Sequence, residues 1–243
     1  MDNLRSTKAS ELLAAHSVLS AMNREAWGDS RPLTQIGPSD VVGRARAGLV
    51  ELRGDIQSQF NAPPAIICEL GVEFGGSTRY FLQTYPDSLI ISMDPWVIGQ
   101  KLAPHWKKLE PFLAQGDGSF FDIFRSFNWE ARNRIVPMRY YSQVGLVKLL
   151  EAGVKPDLIY LDGDHRYHGV YADLVLAHFL FPDAVVIGDD WLLNPDTKHT
   201  QFKGINFPVQ KAVKDFCEHY KFELSSNINS WIIKRRSRQD GTK

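Results

Sequence analysis

Residues 65–78 read AIICELGVEFGGST. An apolar run, AIICEL (65–70), leads through Gly71 and Gly75 directly into TRYFLQTY, which has helical character. A chain that leaves a buried strand through glycines and enters a helix at once makes the sharp turn where a ligand can approach the backbone. Ser77 and Thr78 are placed to cap that helix. The spacing is not G-x-G-x-x-G and the loop lacks the lysine of a phosphate-binding P-loop, so the NAD and nucleoside-triphosphate readings lose support.

The same unit recurs along the chain. LIISMD (89–94), RIVPMRYY (134–141), DLIYLD (157–162) and AVVIGDD (184–190) are further strand-like runs, with helices expected over 143–152, 168–179 and 209–220. KFELSS and SWIIKRR close the chain as an antiparallel pair. Strands alternating with helices imply a parallel sheet covered on both faces. The expected fold is therefore α/β, a doubly wound, Rossmann-like sheet.

Upstream, residues 9–24 and 41–59 carry helical periodicity, the second with Ser39 or Asp40 as cap, and WGDSRPLTQIGPSD between them is a loop. Residues 1–60 are read as a helical extension, 61–235 as the main domain and 236–243 as a disordered tail. The stretch 95–133 is an aromatic-rich insertion in which burial is the default role for the rings, and burial is likewise the default for Trp96 beside Asp94 and for Trp191 beside Asp190.

Lys and Arg total 28 and Asp and Glu total 28, a balance without the electrostatic footprint of a nucleic-acid or membrane binder. A small-molecule partner is expected instead. Cys68 and Cys217 are too few for a disulfide framework, and no apolar stretch approaches the roughly 18 residues of a membrane span. The expectation is a soluble cytoplasmic protein, with a homodimer through the helical extension as its assembly.

Chemistry concentrates at the strand ends. Asp94 ends the second strand about twenty residues beyond the glycine loop, where an acidic side chain accepts hydrogen bonds from ribose hydroxyls; the competing role is a helix cap before Pro95. Ser142 and Gln143, after the third strand, stand where an adenine ring can be recognised. Asp162 ends the fourth strand, and Asp189 and Asp190 end the fifth. Strands joined by one crossover helix are neighbours, so the three carboxylates converge and repel unless a cation such as Mg²⁺ joins them. Asp164 is a candidate general base and His165 its competitor; a cap and a turn residue are the plainer roles for the two.

CELGVEFGGST, ISMDPW, PDLIYLDGDHRYHGVYADL and VVIGDDW, in that order, resemble class I S-adenosylmethionine-dependent methyltransferases, in particular the branch of macrocin and related antibiotic-sugar O-methyltransferases, with catechol O-methyltransferase more distant. The resemblance covers residues 60–235. It implies seven strands in the order 3-2-1-4-5-7-6 with the last strand antiparallel. It also implies S-adenosyl-L-methionine held by Glu69, Gly71, Gly75, Ser77, Asp94, Ser142 and Asp162, and Mg²⁺ held by Asp162, Asp189 and Asp190. Asp164 matches the base. The implied reaction is methyl transfer to a small-molecule hydroxyl, a sugar diol first and a phenol second. A glycosyltransferase using Asp162-Gly163-Asp164 as a D-x-D motif, or a non-catalytic protein on this fold, are the rival readings.

Overall fold

The computed structural model describes residues 8–32, 47–97, 119–192 and 207–234. Among the described residues four short helices come first: α1 (Lys8–Ala15), α2 (Ser17–Trp27), α3 (Ala47–Glu51) and α4 (Arg53–Gln57). Seven strands follow, β1 (Ile66–Leu70), β2 (Leu89–Met93), β3 (Ile135–Met138), β4 (Leu158–Leu161), β5 (Val185–Gly188), β6 (Glu223–Ser226) and β7 (Trp231–Lys234). Between them lie α5 (Gly76–Thr84), α6 (Phe120–Asn128), a 3-10 turn (Trp129–Arg134), α7 (Ser142–Glu151), α8 (Tyr167–Leu180) and α9 (Pro208–Tyr220).

The strands form one sheet of order β3-β2-β1-β4-β5-β7-β6. β1 to β5 are parallel, and β7 runs antiparallel to both β5 and β6. This is the expected α/β order. β1 to β5 are buried throughout, which is why they read as continuous apolar runs. One core lies on each face, the first around Ile91, Leu146 and Phe216, the second around Phe81, Phe124 and Tyr160.

Two expected helices come out divided. The periodicity of 9–24 breaks at His16, whose extended backbone separates α1 from α2, and that of 41–59 is found as α3 and α4 over its described part. α2 is tied to the sheet: the Asn23 side-chain amide and the Trp27 indole N–H both donate to the Ile135 carbonyl, at 2.6 and 2.9 Å. Within the aromatic insertion, Trp96, Phe121 and Phe124 stack together and are buried, the default role for rings. Ser39, Asp40, most of the insertion and the tail lie outside the described residues.

The order of winding reverses between β1 and β4. In an open sheet the crevice at such a switch point, beyond the carboxyl ends of the strands, is where ligands bind. Leu70 and Leu161 are paired in register, so Gly71 and Asp162, the next residues of the two strands, meet at that edge.

Candidate active site

The glycine loop is held from both sides. Gly71 sits at φ 85°, and a Cβ there would lie 2.2 Å from the Asp162 carbonyl oxygen. Only glycine therefore lets the two strand ends close up. Asp94 accepts from the amides of Val72 and Glu73 at 2.9 and 3.0 Å through one oxygen, and from the Trp96 amide at 2.6 Å through the other. Three of the roughly four acceptor sites of this carboxylate are thus taken by backbone. The Trp96 indole N–H donates to the Glu73 carbonyl at 2.6 Å and closes the loop.

Below the loop, Glu69 is fully buried and accepts from the hydroxyls of Ser77 and Thr78. This corrects one expectation: Ser77 and Thr78 do not cap α5, whose N-cap is Gly75 in the left-handed region at φ 87°. Glu69 and Ser77, both 0% exposed, stand beneath the loop and support it. A buried carboxylate needs donors, and the first turn of α5 supplies them.

Across the switch point, the described residues bring together Asp162, His165 and Asp190, with one ligand atom from each inside a 4.8 Å group. His165 Nε2 lies 2.7 Å from Asp190 and 3.7 Å from Asp162. That nitrogen is buried and has no aligned hydrogen-bond partner. Burial alone lowers the His165 pKa, but the two carboxylates outweigh it and raise it to about 10.

The expected cluster thus changes one member. Asp189 lines the same cleft, but its carboxylate accepts from the Ser230 hydroxyl at 2.8 Å and is not in the group. Asp190 takes a left-handed backbone, φ 57°, and its carboxylate meets His165 instead. His165 occupies the third place. Asp164 is paired with Arg166, accepting from its amide and guanidinium. Burial pushes the Asp164 carboxyl up, but the Arg166 hydrogen bonds outweigh it and hold it below the usual range. It stays ionised and weakly basic.

A family model described as a methyltransferase domain matches residues 68–191, just over half of the 243 residues. The chain belongs to this methyltransferase family. No curated protein matches the sequence. Among solved structures, cofactor-bound Rv0187 from MTB is 16% identical, with 97% of this chain and 100% of that one covered, at a TM-score of 0.50. An O-methyltransferase from Bacillus cereus in complex with SAH is 15% identical, covering 95% and 93%, at 0.48. CalS11, a TDP-rhamnose 3'-O-methyltransferase of calicheamicin biosynthesis, is 16% identical, covering 96% of each chain, at 0.44. At these identities the likeness is one of fold.

The methyltransferase has one site carboxylate that the strand ends did not disclose. Asp173, on α8, is 2% exposed and accepts from the Ser142 hydroxyl at 2.9 Å on both oxygens and from Gln143 Nε2 at 2.5 Å. Burial raises its pKa, the Ser142 and Gln143 hydrogen bonds only partly offset this, and the value reaches about 6. Asp173 lines the same cleft as Asp162, Asp164 and His165. Its signal was in the sequence: among the buried α8 residues Val170, Leu174 and Ala177, one position of the apolar stripe is a carboxylate. Ser142 and Gln143, the expected adenine contacts, are the groups this carboxylate holds. No helix among the described residues is long and apolar enough to cross a membrane.

Proposed function

We propose that the protein is an S-adenosyl-L-methionine-dependent O-methyltransferase acting on a small-molecule hydroxyl, a sugar diol or a phenol. One observation carries this reading: the contact of Gly71 with Asp162 sets the glycine loop directly against the carboxylate cluster at the switch point. Gly71, Gly75 and Asp94 would hold the cofactor, which would supply the methyl group on the side of the loop that faces the cluster. Asp94, which already shapes the loop, has an acceptor site left for a ribose hydroxyl.

The cluster fits a divalent cation. Two carboxylates and a buried imidazole form an N/O ligand set, Asp162, His165 and Asp190, in which a cation would take the place of the Nε2 proton. Carboxylates suit Mg²⁺, and the imidazole widens the choice to transition ions such as Mn²⁺ and Fe²⁺. A bound cation would supply Lewis acidity, lowering the pKa of the acceptor hydroxyl.

The chain's own residues supply alignment and proton transfer. Asp164, kept ionised by Arg166, receives the proton at a carboxylate oxygen; as a weak base it is matched to an acidified hydroxyl and not to an ordinary one. The role left to the loop and the cleft is to position the acceptor oxygen, on which methyl transfer would mainly depend.

Isothermal titration with S-adenosylhomocysteine in EDTA tests the cofactor reading, and Mn²⁺ binding followed by electron paramagnetic resonance tests the cluster. Tight homocysteine-conjugate binding without metal, and Mn²⁺ binding lost in Asp162→Asn, are expected. Metal-dependent binding of a nucleoside diphosphate in place of S-adenosylhomocysteine would sink the proposal in favour of a D-x-D glycosyltransferase.

A further inference from the structure

We propose that Asp173 is a positioning residue that sets the base selectivity of the cofactor pocket, by holding the Gln143 amide so that its carbonyl oxygen faces an amino-bearing purine. The inference rests on the S-adenosyl-L-methionine reading and deepens it. Three features of the structure support it.

The first is the direction of the Gln143 amide. An ionised carboxylate is an acceptor only, so a side-chain amide meeting it must turn its NH₂ end inward. Gln143 Nε2 lies 2.5 Å from Asp173 Oδ1, which leaves Oε1 at the opposite end of the amide. A carbonyl oxygen accepts from the 6-amino group of adenine and repels the 6-oxo group of hypoxanthine or guanine. Without Asp173 the amide is free to flip, and the discrimination goes with it.

The second is the place of Gln143. α7 starts just beyond the carboxyl end of β3, and the Asp94 amide donates to the Met138 carbonyl at 3.1 Å, tying the ends of β2 and β3 together. Gly145 brings α7 against β2, since a Cβ there would lie 2.1 Å from the Met93 sulfur. The first turn of α7 is therefore beside Asp94, the residue proposed for the ribose. A base attached to that ribose falls within reach of the same turn.

The third is the burial of Asp173 itself. A carboxylate 2% exposed on an apolar helix face is costly, and its bonds to Ser142 and Gln143 link α8 to the cofactor side of α7. A hydrophobic residue there would pack the helices without that cost. The carboxylate is what orients the two polar side chains.

The test is calorimetric titration of the full chain with S-adenosylhomocysteine and with its 6-oxo congener, S-inosylhomocysteine, for the wild type, Asp173→Asn, Gln143→Met and the double variant. The wild type is expected to prefer the amino form by about tenfold or more, the effect of one unpaired buried polar group. In Asp173→Asn, whose amide accepts or donates equally well, the ratio is expected to fall below about threefold. Gln143→Met should do the same, and the double variant no more. A merely structural Asp173 would weaken both ligands alike and leave the ratio intact, and that result in a cooperatively melting protein overturns the inference. If Asp173→Asn does not fold, an unchanged ratio in Gln143→Met overturns it instead. A wild type that binds both forms equally overturns the inference alone, whereas one that binds neither overturns the cofactor reading as well.

Discussion

Asp173 also controls how stability depends on pH. Its folded pKa is about 6, against roughly 3.9 for an unfolded aspartate, a gap of about 2 units. Because the folded pKa is the higher one, the native state binds the proton more tightly than the unfolded state. The contribution is fully present below pH 4 and is lost as the pH rises through 6. At about 1.4 kcal/mol per unit the loss amounts to about 3 kcal/mol by neutral pH, and 2% exposure leaves little solvent screening to discount. Asp173→Asn removes the titrating group and any fixed effect on packing is constant with pH. The difference in unfolding free energy between the wild type and Asp173→Asn should therefore move by about 2.4 kcal/mol in favour of the variant between pH 4 and pH 7.5. Urea unfolding at four pH values across that range measures it, with metal chelated throughout. A difference that stays flat within about 0.5 kcal/mol would show that Asp173 is solvated or otherwise compensated, and would refute the assignment of a buried, proton-hungry carboxylate.

Three further outcomes are expected. Gly71→Ala forces a Cβ to 2.2 Å from the Asp162 backbone at φ 85°; left-handed strain of about 1–2 kcal/mol plus the displaced strand ends should lower the melting temperature and abolish S-adenosylhomocysteine binding, whereas near-native calorimetric binding would contradict the close approach. In EDTA-treated protein the His165 imidazole should remain cationic through pH 8, and Asp190→Asn should lower its titration; an NMR titration near the ordinary value of about 6.5 in the wild type would break the cluster assignment. Phe124→Ala removes a fully buried ring that packs tilted against Trp96 at 4.8 Å and stacks on Trp27 at 5.9 Å, and denaturant unfolding should show a loss of about 3–5 kcal/mol, with a loss under 1 kcal/mol ruling out the packed aromatic layer.

The strands and the residues that reach the sheet edge were legible because each depends on short-range pattern, whereas the strand order came from the family resemblance. β1 to β5 are buried on both faces, so their composition alone marks them, and whatever follows a parallel strand must arrive at the same edge. Gly71, Asp94, Asp162, Asp189 and Asp190 were read in this way.

What each side chain does at the edge depends instead on partners far away in the chain. Ser77 and Thr78 look like caps until Glu69 is known to be buried beneath them, with two acceptor oxygens to satisfy. Asp189 and Asp190 look interchangeable, yet Ser230, 41 residues on, engages the first, while the second meets His165. Ser142 and Gln143 look like free ligand contacts, but Asp173, 31 and 30 residues away, already fills their donors. Each departure has the same cause: a polar group close to a buried edge is committed first to whichever partner removes its desolvation cost, and only its remaining hydrogen-bonding capacity is available to a ligand. The groups to test for function are then those with capacity left over, namely the spare Asp94 acceptor site and the Gln143 carbonyl oxygen.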